Sequence, residues 1–219
     1  MTGAPSGTVR HRFTDQTDGD FAIDGPTAAL DASRRAIAPH PWTWLRQVHG
    51  ARVVVVAEPG EHAGVEADAI VTAVPGAAIA VQTADCAPVL LAGDGVVGVV
   101  HAGWRGLHAG VIEAAAAAMD ALGGAPATAV LGPCIRARCY EFDGPERALV
   151  ADRYGPAVLA ETGWGTPALD VAAGVAEACD RLGIAFTDQG TCTACSPIHW
   201  SYRARADTSR QALVAWLEP

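Results

Sequence analysis

Two histidines and a cysteine stand where apolar runs give out: His49 in LRQVHG, Cys86 in QTADCAP and His101 in VVGVVHAGWRG. Histidine and cysteine are zinc-ligand types, and three protein donors with one open position is the catalytic arrangement of that metal. The three lie too far apart in the chain to form a local motif. Taken singly, each also reads as a loop histidine or a small buried hydrophobe. Asp85, next to Cys86, is the nearest carboxylate in sequence and the candidate proton carrier. After His101 the chain turns through Gly103, Trp104 and Arg105 into an Ala-rich helical pattern. A helix N-terminus there presents unpaired N–H groups to an anion, and Arg105 adds a forked charge suited to phosphate. Trp104 offers a face for a ring.

Six cysteines stand at positions 86, 134, 139, 179, 192 and 195. CTACSP (192–197) holds a single C-x-x-C, half of a zinc ribbon with no second pair. The chain has no lysine, which excludes a Schiff base, a lysine general base and a Walker lysine. Net charge is −9, against nucleic acid as the main partner. No run spans a bilayer and no signal-peptide core opens the chain, so the expectation is a cytoplasmic protein with reduced thiols. No obligate protein partner is evident.

These residues need elements to position them. Expected strands are 52–58, 69–74, 77–86, 88–92, 96–102, 128–133 and 211–217, with GDG (93–95) making a hairpin. Several are apolar on both faces and belong in a covered sheet. Helices are expected over 27–37, 107–122, 146–153 and 169–182. Residues 1–20 read as loose and turn-rich. With no repeat or linker, the expectation is one α/β (α+β) domain over 1–219, a layered sandwich with a mixed sheet.

In order, QVHG, GVEADAIVT, QTADCAPVLL, VVHAGWRG, GPCI…CYEF, CTAC and WSYR…SRQALVAWL resemble the bacterial YfiH/YlmD-type family. The resemblance covers roughly residues 42 to 217, and TADC with HAGWRG is its most specific pair. The family has been called laccase-like polyphenol oxidase and is described as purine nucleoside phosphorylases with adenosine deaminase activity; some members are called peptidoglycan editing factors. The resemblance implies an α/β sandwich and zinc held by His49, Cys86 and His101; Asp85, nearest in sequence, stays the candidate proton carrier. It implies that Gln47, Gly103, Trp104 and Arg105 line the substrate site. Substrates would be adenosine, inosine or methylthioadenosine, with phosphate as co-substrate, and adenosine would also be deaminated. FTDQTDGDF departs from the family pattern, with Gln16 where an arginine usually stands. The stretch from Phe21 to Pro41 is also short.

Two other chemistries compete. Cys86 as nucleophile with His101 or His49 as base would make a cysteine hydrolase or amidase, suited to editing peptidoglycan precursors. Copper-dependent phenol oxidation needs more clustered histidine than seven scattered residues supply.

Overall fold

The computed structural model describes residues 7–218. Its strands are β1 (Val9–Phe13), β2 (Trp42–Arg46), β3 (Val53–Val56), β4 (Val65–Glu66), β5 (Ala69–Thr72), β6 (Ala78–Thr83), β7 (Ala87–Gly93), β8 (Val96–Ala102), β9 (Pro126–Leu131), β10 (Leu159–Glu161), β11 (Pro167–Leu169), β12 (Ala185–Asp188) and β13 (Gln211–Leu217). Its α-helices are α1 (Thr27–Ile37), α2 (Trp104–Ala109), α3 (Val111–Ala121), α4 (Pro145–Tyr154), α5 (Val171–Arg181) and α6 (Tyr202–Arg205). One large sheet has the order β1-β13-β6-β2-β4 and the other β12-β9-β7-β8-β5-β3, with parallel and antiparallel neighbours in both, and β10 and β11 form a separate antiparallel pair.

Alternation along the strands builds the layers. In β6, Ile79 and Val81 point into the core between the sheets, where they meet Leu90, Val97, Val99 and Leu213. Ala78 and Ala80 point the other way and pack with Leu30 of α1 and Trp42. In β8, Val96 and Val100 face the third core, under α2, α3, α4 and α5, with Leu107, Ile112, Met119 and Val175. The result is a helix, two sheets and a helical layer, which is why these strands read as apolar on both faces. Gly98 lacks a Cβ because one would sit 3.0 Å from Met119 Sδ and 3.2 Å from Val71 Cγ1.

Three expectations change. Val9–Phe13, read as loose, is an edge strand paired antiparallel with β13; residues 1–6 lie outside the described residues. Its alternation is masked because only Val9 and Phe13 pack on the core, while Arg10 and Arg12 hold Glu218 and Asp18 at the surface. The helix expected over 107–122 is two, because Gly110 takes a left-handed conformation (φ 85°) between α2 and α3. β2 was not anticipated. Its Trp42 and Trp44 face the α1 side and Leu45 the inter-sheet core.

Truncating Leu213, fully buried between the sheets, should lower the unfolding free energy by about 2–5 kcal/mol. Urea titration of Leu213→Ala with an unchanged m-value would show it. A loss under about 1 kcal/mol would contradict that packing.

Candidate active site

The topology converges on one end of the sandwich. β2 and β6 run parallel, so their C-terminal ends lie together. After each, the chain crosses from the first sheet to the second, and these crossings carry His49 and Cys86. β8 returns antiparallel to β7, placing Ala102 opposite Ala87 and His101 opposite Pro88, beside Cys86. The donor atoms of His49, Cys86 and His101 all lie within 4.8 Å of one another. Cys86 Sγ is 3.9 Å from His49 Nε2, and the two imidazole centroids are 4.8 Å apart at 76°. Bond lengths of about 2.3 Å to sulfur and 2.0 Å to nitrogen put tetrahedral N and S ligands roughly 3.5 Å apart. The group fits such an ion with a small contraction.

A carboxylate overlooked in the sequence organises this set. Asp68 is fully buried just before β5. It accepts N–H bonds from Val48 (3.3 Å), His49 (2.9 Å) and Gly50 (2.7 Å), and pairs with His101 Nδ1 at 2.8 Å. Its carbonyl also accepts the His101 backbone N–H at 2.8 Å. A metal-binding histidine needs its other nitrogen held in this way, and the bond leaves His101 Nε2 for the ion. Asp68 also holds the turn in which His49 takes a left-handed φ of 60°, rare for a residue with a side chain.

The charges are coupled. Burial would push the Cys86 thiol up, but the imidazoles of His101 and His49 outweigh it and hold it at about 6. Burial would lower His101, but the Cys86 thiolate and Asp68 outweigh it and raise it to about 9. Asp68 stays below its usual range, since burial is offset by His101 and the Gly50 and His49 amides. Without metal, Cys86 and His101 thus form a thiolate–imidazolium pair near neutral pH.

A cavity of about 470 Å³ opens over these donors, within the range of small-molecule sites. Gln47, Gln82, Arg46, Arg210, Tyr202 and Asp24 line it. A second cavity of about 110 Å³ lies past Cys86 against Trp104, Tyr140 and Tyr202. Gly103 separates the two histidine and cysteine turns from α2. A Cβ there would stand 2.9 Å from His49 Cδ2 and 3.1 Å from Cys86 Sγ, so only glycine fits.

The other expected site residues sort differently. Gln47 lines the cavity, but its carboxamide braces the Gln82 backbone, donating to the carbonyl (2.7 Å) and accepting from the amide (2.8 Å). Trp104 lines the smaller cavity, edge-on to Phe142 at 5.3 Å. Two expectations are corrected. Asp85 is no free proton carrier: one carboxylate oxygen accepts the Thr193 hydroxyl and the other the Arg203 amide, both at 2.6 Å. Arg105 lines neither cavity; its side chain is exposed, with the guanidinium 4.3 Å over the Trp104 ring. Arg46 and Arg210 supply the positive charge instead, and neither stood out because arginine is the only cation in the chain. Gln16 sits in a short turn, its amide bonded to the Ile198 carbonyl at 2.9 Å, and does not line the cavity.

A family model described as "Multi-copper polyphenol oxidoreductase laccase" matches residues 18–218. The chain belongs to that family. Among curated relatives in it, a protein named purine nucleoside phosphorylase from Streptomyces coelicolor is 48% identical over 195 residues, covering 86% of this chain and 80% of its own. One of the same name from Streptomyces griseus is 42% identical, covering 99% and 98%. Among solved structures, a Neisseria meningitidis protein of family DUF152 superposes with a TM-score of 0.82 at 27% identity, over 99% of this chain and 96% of that one. The fold also matches the YfiH protein of Bacillus licheniformis (TM-score 0.84, 21% identity, 96% and 93% covered). The YfiH-like α/β sandwich is therefore the family architecture.

Alkylation reads the charge coupling directly. In chelator-treated protein, iodoacetamide should modify Cys86 with a midpoint near pH 6, since the thiolate fraction rises through the lowered pKa. Added zinc should protect it. A midpoint near the ordinary thiol value of about 8.5 would contradict the coupling.

Proposed function

We propose that this chain is a zinc-dependent purine nucleoside phosphorylase. The observation that carries the reading is the His49–Cys86–His101 donor set at the floor of a cavity with two arginines on its wall. Relatives at up to 48% identity bear that enzyme's name. The donor set suits zinc: two neutral imidazole nitrogens, one thiolate and an oriented His101. The weak axial thioether common in blue-copper sites has no match in Met119, which is buried against Gly98 in the helix-side core.

Zinc bound here would supply Lewis-acid polarisation of a substrate oxygen or nitrogen. The chain's own residues do the rest. Arg46 and Arg210 hold the phosphate dianion; Arg46 is only loosely engaged, 4.0 Å from Asp24. Tyr202, 63% exposed at the rim shared by both cavities, gives the purine a face to stack on. In phosphorolysis a phosphate oxygen bonds to C1′ as the C1′–N9 bond breaks. The electron pair leaves with the purine, which takes up one proton. Adenosine, inosine and methylthioadenosine share the reacting bond, so one cavity serves all three. In deamination of adenosine the oxygen of a water bonds to C6 and the C6–N bond breaks; the amine takes up a proton and leaves as ammonia, and C6 keeps the oxygen as the carbonyl of inosine. Among the described residues, Asp24 is the carboxylate lining the larger cavity that could carry its proton.

The lowered Cys86 thiol also fits a cysteine hydrolase acting on peptidoglycan precursors, and one experiment separates the two. Purified protein is incubated with adenosine, inosine and methylthioadenosine, with and without phosphate, and products are read by liquid chromatography–mass spectrometry. The phosphorylase reading predicts phosphate-dependent free base, abolished by chelation and by His101→Ala. Arg210→Ala should raise the phosphate KM about tenfold, equivalent to roughly 1.4 kcal/mol. No nucleoside turnover by zinc-loaded protein would contradict the reading. Amidase activity that survives chelation and dies on Cys86 alkylation would favour the hydrolase.

A further inference from the structure

A second cluster of donors lies outside this site. Cys139 sits in the turn Ala137–Cys139 after β9, and Cys192 and Cys195 in the loop after β12. Their three sulfurs lie within 4.8 Å of one another, and Cys139 Sγ is 3.3 Å from Cys195 Sγ. The sequence shows only the C-x-x-C half; the fold brings in the third cysteine. We propose that Cys139, Cys192 and Cys195 form a second, structural zinc site that staples the 137–140 turn to the 192–195 loop.

The spacing suits an ion better than a disulfide. Thiolates about 2.3 Å from a tetrahedral zinc stand roughly 3.8 Å apart. A disulfide would use only two of the three sulfurs. Cys192, which a Cys139–Cys195 bond would leave over, is buried beside them with its sulfur in the same group. Three thiolates around a dication leave one negative charge, and Arg138 stands in the same turn as Cys139 to offset it.

The loops are already held in place. Arg136 forks onto Asp188, and Arg205 donates to the carbonyls of Ala194 (3.2 Å) and Thr193 (3.4 Å). A metal added to this frame would fix both sides of the catalytic cleft. Tyr140 follows Cys139 and lines the smaller cavity beside Cys86, while Thr193 holds Asp85. Cys195 is exposed and, among the described residues, no fourth histidine, cysteine or carboxylate joins the group, leaving one position for solvent.

Metal content tests this without an activity assay. Protein purified under reducing conditions without chelator, then equilibrated with zinc and desalted, should carry about two equivalents by mass spectrometric metal analysis. Cys195→Ser and Cys139→Ser should each carry one, and His101→Ala should also carry one. Cobalt loading of His101→Ala should still give strong thiolate charge-transfer absorbance, lost on adding Cys195→Ser. Circular dichroism checks the fold, and the exposed Cys195 is the more tolerant of the two cysteine positions. One equivalent in the wild type, unchanged in both cysteine variants, would overturn the proposal. So would a non-reduced mass about 2 Da low with a Cys139–Cys195 linked peptide.

Discussion

The buried carboxylate of Asp68 ties together two segments distant in the chain. It takes three consecutive amides of the 48–50 turn and the Nδ1 of His101. One charge thus sets the path of the His49 loop and the orientation of the His101 ring. Removing one partner of such a buried charge pair typically costs about 3–5 kcal/mol, because the other is left uncompensated. The pairing is also what leaves His101 Nε2 for a metal.

Asp85 repeats the device on the second crossing. Asp85 itself has a left-handed φ, 101°, as His49 has on the first crossing, and its carboxylate is spent on Thr193 and the Arg203 amide. Backbone strain of this kind costs of order 1–3 kcal/mol and persists only when the surroundings hold it. The crossings after β2 and β6 are therefore both bent, each held by a buried aspartate, and they carry His49 and Cys86. Gly103 completes the arrangement by leaving room for both.

His49, Cys86 and His101 stood out in the sequence because histidine and cysteine at strand ends are unusual residue types in unusual places, and the fold brings the three together. The strands were legible because two covered faces demand continuous apolar runs. What escaped it depends on direction. Asp68 and Asp85 each lie near a ligand in the chain or in space, and only the fold shows that Asp68 touches His101 while Asp85 turns to Thr193. Arg105 was favoured by its adjacency to His101, but successive positions of a helix turn point in different directions, and Arg105 is the one of its turn that points to solvent. Arg210 reaches the cavity from the start of the last strand, and no local spacing announces that. The short edge strands β1 and β12 carry mixed polarity because only part of each is covered.

The most direct test of this account is the zinc affinity of Asp68→Asn, measured by chelator competition against the wild type. The substitution keeps the shape but removes the charge that orients His101 and clamps the His49 turn. The account predicts a loss of about 10–100-fold in affinity at the His49–Cys86–His101 site, with the fold retained. Unchanged affinity in a folded variant would contradict it, and would mean that His49, Cys86 and His101 are placed without the aspartate.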